Sequence, residues 1–238
     1  MIICGGDEAG RGALLGPLVV SIVAAKKDME KRFADIGVRD SKLLTPQRRE
    51  ALYDSIYKAA SEVIVDLIQP AEINKAMQSG ISLNELEAVY FSRMLDKLSV
   101  KPSVLYLDSP DVIAEKFGVR VNTYSTKPTK VVGVKNAERK GIKYTKIVAE
   151  HKADARYPVV SAASIIAKVT RDREIAKLSG DLGVNIGSGY PSDSETVNAV
   201  KDNIRNVEFK KHIREYWTTI NTIRQTRIRS FSDEEDLE

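Results

Sequence analysis

Ile2-Ile3-Cys4-Gly5-Gly6-Asp7-Glu8 is a short apolar run that gives way to two glycines and two adjacent carboxylates. Its start reads as a buried strand that ends near the acidic pair. Pro17-Leu18-Val19-Val20-Ser21-Ile22-Val23-Ala24-Ala25 follows closely and is almost continuously apolar, as expected of a strand covered on both faces. Further strands are expected at Val63–Ile68, at Ser103-Val104-Leu105-Tyr106-Leu107 before the Asp108-Ser109-Pro110 turn, and at Lys146-Ile147-Val148-Ala149. Between them lie helix starts at Thr45-Pro46 and at the capping box Ser82-Leu83-Asn84-Glu85. Pro158 opens a helix rich in small residues. A second capping box is read at Ser192-Asp193-Ser194-Glu195, and Ile213, Tyr216, Trp217, Ile220 and Ile223 make one more amphipathic stripe. Strands first, then strand–helix alternation, then helices: the pattern predicts an α/β or α+β domain around a mixed sheet. Residues 120–143 are polar and basic, with Val131-Val132 the only strong strand hint.

The 238 residues, 42% apolar and 29% charged, suit one large domain with a small terminal extension and exclude wholesale disorder, collagen and a polytopic membrane protein. No apolar run approaches the ~18–20 residues of a spanning helix, and the N-terminal residues lack a secretory pattern. The single cysteine, Cys4, cannot form an intrachain disulfide and argues against a cysteine-ligated metal. An intracellular, cytoplasmic protein with no membrane partner is expected. The net charge is +4, but residues 232–238 hold five acids and no base, so residues 1–231 carry +9. A basic body points to a polyanionic partner, although a solvated surface with a frayed acidic end gives the same balance.

The carboxylates carry the chemistry. Asp7 and Glu8 close the first apparent strand, Asp108 closes another, and Asp154 follows a third in His151-Lys152-Ala153-Asp154. If those strands end at one edge, four carboxylates converge there. Each like-charged pair at ~4 Å would repel by about 4 kcal/mol at an effective dielectric of about 20. An all-oxygen cluster suits Mg²⁺ or Mn²⁺, and two such ions can activate water and stabilise a leaving oxygen in phosphodiester hydrolysis. Taken singly, Asp108 also suits a turn cap, Asp154 a helix cap and Asp7-Glu8 an exposed corner. Gly10-Arg11-Gly12 follows the acidic pair; the spacing is not a dinucleotide fingerprint. It lets backbone and a guanidinium approach a phosphate, or it is a plain tight turn.

Asp7-Glu8-Ala9-Gly10-Arg11-Gly12, with Gly16-Pro17-Leu18-Val19-Val20, resembles the opening motif of ribonuclease HII, the type 2 ribonuclease H family. So do Asp40-Ser41-Lys42-Leu43-Leu44-Thr45, Leu107-Asp108-Ser109-Pro110, His151-Lys152-Ala153-Asp154-Ala155-Arg156-Tyr157-Pro158, Val159–Lys168 and Gly187-Ser188-Gly189-Tyr190-Pro191-Ser192-Asp193. The forms are similar to those of the archaeal and eukaryotic branch. The resemblance implies a ribonuclease H fold: a five-stranded mixed central sheet flanked by helices, with a helical C-terminal part. It implies an endoribonuclease that cuts the RNA strand of RNA–DNA hybrids and incises at ribonucleotides embedded in duplex DNA, leaving 3′-hydroxyl and 5′-phosphate ends. The family's metal-binding carboxylates fall on Asp7, Glu8, Asp108 and Asp154, which would hold two Mg²⁺ or Mn²⁺ ions. Gly10, Arg11 and Gly12 fall on the loop that reads the 2′-hydroxyl and its phosphate, and Tyr190 on the tyrosine beside the ribose. Lys42 is a further phosphate contact by this reading, or a surface lysine.

Two positions depart from the family pattern: Gly6, where a β-branched residue commonly stands, and Ala13, where proline is common. Within the same fold the rival is ribonuclease HIII; from another class, a catalytically silent nucleic-acid-binding protein. Lys210, Lys211, Arg214, Arg224, Arg227 and Arg229 would help hold the duplex, or form a solvated basic face. Arg171-Asp172-Arg173-Glu174 reads as a salt-bridged helix face. Gln225, Ile228 and Phe231 in Gln225-Thr226-Arg227-Ile228-Arg229-Ser230-Phe231-Ser232 resemble a peptide that docks on a sliding clamp, with Ser232 where a second aromatic is usual. The expected organisation is a catalytic domain over residues 1–193, a helical extension over 194–224 packed on it and a flexible acidic tail over 225–238, the whole acting as a monomer.

Overall fold

The computed structural model describes residues 1–39 and 41–225. The strands are β1 Ile2–Ala9, β2 Leu18–Lys26, β3 Glu62–Ile68, β4 Val104–Asp108, β5 Thr129–Val131 and β6 Thr145–Glu150, in the sheet order β3-β2-β1-β4-β6-β5. The helices are α1 Met29–Asp35, α2 Pro46–Ala59, α3 Pro70–Gln78, α4 Leu83–Lys97, α5 Ala114–Tyr124, α6 Ala153–Arg156, α7 Pro158–Leu182, α8 Ser194–Asn203 and α9 Val207–Lys210, with a 3-10 turn at Ser41–Leu43. Two compact units result. One gathers Met1–Ala9, Val19–Leu67 and Ser82–Arg171, the other Gly10–Leu18, Ile68–Ile81 and the chain from Asp172 onward.

The sheet belongs to the first unit. β1 runs antiparallel to β2 and parallel to β4, and β4 is parallel to β6, so the sheet is mixed, as expected. It has six strands rather than five. The extra one, β5, pairs parallel with β6 and ends on Val131, where the strand hint in 120–143 falls. Its three residues are held at one end by Asn136, which accepts from the Val131 amide at 2.9 Å and donates to the Val131 carbonyl at 2.7 Å.

β1 continues through both glycines and both acids to Ala9, one residue past the acidic pair near which the sequence places its end. Glycine weakens an ordinary strand, and it persists in one where another backbone comes close. Here a Cβ on Gly5 would lie 2.4 Å from backbone atoms of Val159 and Val160 in α7, and a Cβ on Gly6 would lie 2.9 Å from the Phe91 ring of α4. Helices press the strand from both faces. The core on the α7 side gathers Ile3, Val23, Phe33, Ile56, Val159, Val160, Ala163 and Ile166, all essentially without solvent exposure. Each such Ile, Val or Phe contributes roughly 1.5–3 kcal/mol relative to exposure.

In the second unit, Leu14, Leu15, Ile175, Ile186, Val200, Phe209, Ile213 and Ile220 form a separate apolar cluster. Two sequence expectations shift there. Asp193, not Ser192, caps α8, its Oδ1 accepting from the Glu195 amide at 3.0 Å. The last stripe becomes helical only at 218–225. Ile213 forms an antiparallel bridge with Leu15, and the Arg214 amide donates to the Leu14 carbonyl at 2.9 Å, which draws that segment out of a helix.

Candidate active site

The three parallel strands β1, β4 and β6 end at the same rim. Their registers pair Gly6 with Leu107 and Asp108 with Glu150, so one further step along β1 brings Asp7 beside Asp108. Beyond β6, Lys152 adopts φ +56°, the one non-glycine residue in the left-handed region among the described residues. That conformation costs an L-residue about 1–2 kcal/mol. It turns the chain so that the Ala153 amide donates to Asp108 Oδ1 at 2.8 Å, and Asp154 follows at once, buried. The turn after β4 is held by Ser109, whose hydroxyl accepts from the Asp111 amide and donates to the Ala114 carbonyl. Asp108 is therefore tied to the Asp154 segment.

Asp7 is buried at 5% exposure. Burial pushes its carboxyl well above the usual carboxylate range, and the charges of Glu8 and then Asp108 push the same way. Hydrogen bonds from the Ser164 hydroxyl and the Glu8 amide, the latter at 2.8 Å, pull it back only in part. The Ser164 hydroxyl also lies 2.9 Å from that of Ser41, whose carbonyl and that of Leu44 accept from the buried Arg49 guanidinium. Ser164 and Arg49 thus connect Asp7 to the turn that carries Lys42, a link with no spacing signal in the sequence. The Lys42 side chain lies outside what is described.

The structure brings Asp7, Glu8 and Asp108 into electrostatic contact and the Asp154 segment onto Asp108. Oxygen donors that repel one another, with Asp7 and Asp154 buried and Glu8 and Asp108 half-buried, fit a hard divalent cation. Among the described residues, no three carboxylate, imidazole or thiol groups already stand close enough to hold one ion. His151 Nε2 lies 2.8 Å from the Asp111 carbonyl, an acceptor, so that nitrogen carries its proton and steadies the loop after Ser109. Gly6 owes its departure from the family pattern to packing: Leu107 Cδ2 and the Phe91 ring occupy the space of a side chain.

The remaining expected residues lie in the second unit. Gly10 (φ +93°) opens a turn closed by the Ala13 amide on the Gly10 carbonyl at 3.2 Å, with Arg11 half-buried and Gly12 exposed. Tyr190 is half-buried on a loop fixed by the Gly189 amide on Thr196 Oγ1 at 2.9 Å and the Asp193 amide on the Tyr190 carbonyl at 3.1 Å. Two basic residues are misjudged by sequence reading: Arg214 and Arg171 are fully buried, so neither is an exposed basic face. Gln225 is helical and exposed, whereas Ile228, Phe231, Arg227 and Arg229 lie outside the described residues.

The mixed sheet and its flanking helices are those of the ribonuclease H class. The solved ribonuclease H2 from Pyrococcus horikoshii OT3 matches with a TM-score of 0.79 and 39% identity over 95% of this chain and 98% of that one. The ribonuclease HII in a solved complex with PCNA from Archaeoglobus fulgidus matches at 0.75 and 36%, over 92% and 96%. Ribonuclease HII of Pyrococcus abyssi is 41% identical over 227 residues, 94% of this chain and 92% of its own length. Residues 4–220 match the sequence profile described as Ribonuclease HII, and the chain belongs to that family, with the ribonuclease H activity on RNA–DNA hybrids that membership implies. Among the described residues no helix is long and apolar enough to cross a membrane.

Proposed function

We propose that this chain, an intracellular monomer, incises the RNA strand of RNA–DNA hybrids and also single ribonucleotides within duplex DNA, by two-metal-ion hydrolysis that leaves 3′-hydroxyl and 5′-phosphate ends. The observation that carries the reading is the sheet rim, where the β1–β4 register and the Ala153–Asp108 hydrogen bond draw three separate acidic motifs together. Asp7, Glu8, Asp108 and Asp154 would hold Mg²⁺ or Mn²⁺, which when bound supply a polarised water and neutralise charge on the phosphate. The protein's own part is to hold these carboxylates in place, two of them buried: Ser164 seats Asp7, and the left-handed Lys152 seats the Asp154 segment against Asp108. Gly10, Arg11 and Gly12 would present backbone donors and a guanidinium to the 2′-hydroxyl and its phosphate, and Tyr190 its ring to the sugar. A 2′-hydroxyl, both donor and acceptor, is what separates RNA from DNA at such a site. Lys42 would contact a neighbouring phosphate.

The test is a DNA duplex with one ribonucleotide, incubated with Mg²⁺ or Mn²⁺ and, as control, EDTA. Incision at the ribonucleotide in the presence of metal alone is expected; absence of incision with every divalent ion tried would leave a binding module as the better reading.

Gln225, Ile228 and Phe231 would dock on a sliding clamp, a proposal supported by the spacing in this chain and by the PCNA-bound relative. Deleting residues 225–238 is expected to abolish pull-down by the purified clamp, and unchanged capture would end that proposal.

A further inference from the structure

Arg214 lies at 0% exposure, some two hundred residues along the chain from the groups it holds. Its Nη1 donates to the Gly10 carbonyl at 2.6 Å and the Arg11 carbonyl at 3.1 Å, and its Nε to the Gly16 carbonyl at 3.1 Å. Its own amide donates to the Leu14 carbonyl at 2.9 Å, and Trp217 covers it, the guanidinium carbon 5.3 Å from the ring centroid. A buried guanidinium needs hydrogen-bond acceptors, and a planar fork matches several carbonyls as an ammonium cannot. One side chain thus fixes both ends of the segment 10–16.

The consequence follows from the peptide group. In a trans peptide the carbonyl and the next amide point in opposite directions, and no cis peptide occurs among the described residues. Drawing the Gly10 and Arg11 carbonyls onto Arg214 therefore turns the Arg11 and Gly12 N–H groups away from the interior. On that outer side Gly12 is exposed, and a Cβ added to it would meet nothing within 4 Å. The same segment is stitched to the tyrosine loop, since the Leu14 and Leu15 amides donate to the Gly189 carbonyl at 2.7 and 3.3 Å, next to Tyr190.

We infer that Arg214 is the positioning residue of ribonucleotide recognition, a buried clamp that aims the Arg11 and Gly12 amides outward and holds their loop in register with that of Tyr190. The inference rests on the proposed reading of a ribonucleotide by this loop, and it takes Arg214 away from the surface role its place in a basic sequence suggests.

Arg214→Lys keeps the charge and loses the fork; Arg214→Gln loses both. For Arg214→Lys the KM for the one-ribonucleotide duplex is expected to rise about tenfold, the worth of roughly one misaimed hydrogen bond. Affinity for the all-DNA duplex of the same sequence, in EDTA, is expected to stay within about twofold, because that duplex offers no 2′-hydroxyl for the Arg11 and Gly12 amides to read. Arg214→Gln should lose more, so that lysine gives partial rescue. A folded Arg214→Lys enzyme with unchanged KM, or with equal losses on both duplexes, overturns the inference. Should that variant fail to fold by circular dichroism, Trp217→Phe keeps the arginine and shrinks its cover. A smaller loss of the same kind is then expected, and an unchanged KM in that folded variant overturns the inference equally. Failure of the underlying functional reading is distinguishable: the unmodified enzyme would then leave the one-ribonucleotide duplex uncut.

Discussion

Asp108→Asn is expected to lower metal-dependent incision by at least about a thousandfold, the scale on which a charge-stabilising group in a desolvated site acts, while duplex affinity in EDTA holds within about twofold. The substituted amide has the size and shape of the carboxyl, and its oxygen can go on accepting from the Ala153 amide, now 2.8 Å from Asp108 Oδ1. The Asp154 segment therefore stays seated; only a negative charge is lost. That charge is one of the causes that push the Asp7 carboxyl up, after burial and Glu8. A carboxyl raised in the folded state penalises folding as pH climbs through its folded pKa, and imposes no penalty below the unfolded value of about 3.9. Removing one source of the rise should therefore increase the Tm of the metal-free protein at pH above the folded Asp7 pKa, with the gain fading as pH falls toward the unfolded value. Loss of incision with an equal or higher Tm in that range separates an electrostatic role from a structural one. Retained incision, or a lower Tm, contradicts the assignment.

Most of the elements that build the rim were readable because they rest on local physics. Thr45 and Ser82 cap α2 and α4 through the Arg48 and Glu85 amides, as their spacing announces. The apolar runs read at β2, β4 and β6 form strands there, buried almost throughout in β2 and alternating in β6. What could not be read depends on partners far away in sequence. β1 continues through two glycines because two helices press on it, and nothing within Gly5-Gly6 signals that. α5 buries Phe117 and Val121 on one face, but Gly118 between them takes its meaning from distant partners, since a Cβ there would lie 3.0 Å from Val131 and 3.3 Å from Ile147 of the neighbouring strands. Arg214 and Arg171 belong to basic stretches that look solvated, yet both are buried. Charge patterns report composition; burial is decided by what folds over them. The carboxylates were legible as four acidic positions at strand ends, while Ser164 and Lys152, which fix two of them, were not.

Gly5→Ala is expected to be among the most destabilising single substitutions in the chain, although it adds one methyl group. The added carbon would lie 2.4 Å from the carbonyl carbon and oxygen of Val159 and from the amide nitrogen of Val160. Those are backbone atoms at the start of α7, where Val159, Val160, Ala162 and Ala163 are at 0% exposure, so the helix has no free direction in which to yield. Relief requires strand and helix to part by about 1 Å, at the upper end of the 1–3 kcal/mol typical of overpacking. At about 2–4 °C per kcal/mol for a chain of this size, the Tm should fall by roughly 10 °C. Gly6→Ala is the internal control, because its added carbon would meet Leu107 Cδ2 at 2.7 Å and Phe91 Cε1 at 2.9 Å, both ends of side chains that can turn. It should cost distinctly less. The displacement by alanine at position 5 falls two residues before Asp7 on the same strand, so incision should drop further than the loss of folded protein explains, even at temperatures where the variant remains native. A melting temperature within about 2 °C of the parent for Gly5→Ala, or a larger fall for Gly6→Ala, would mean that β1 is not held against α7 in this way, and the placement of Asp7 beside Asp108 would lose its support.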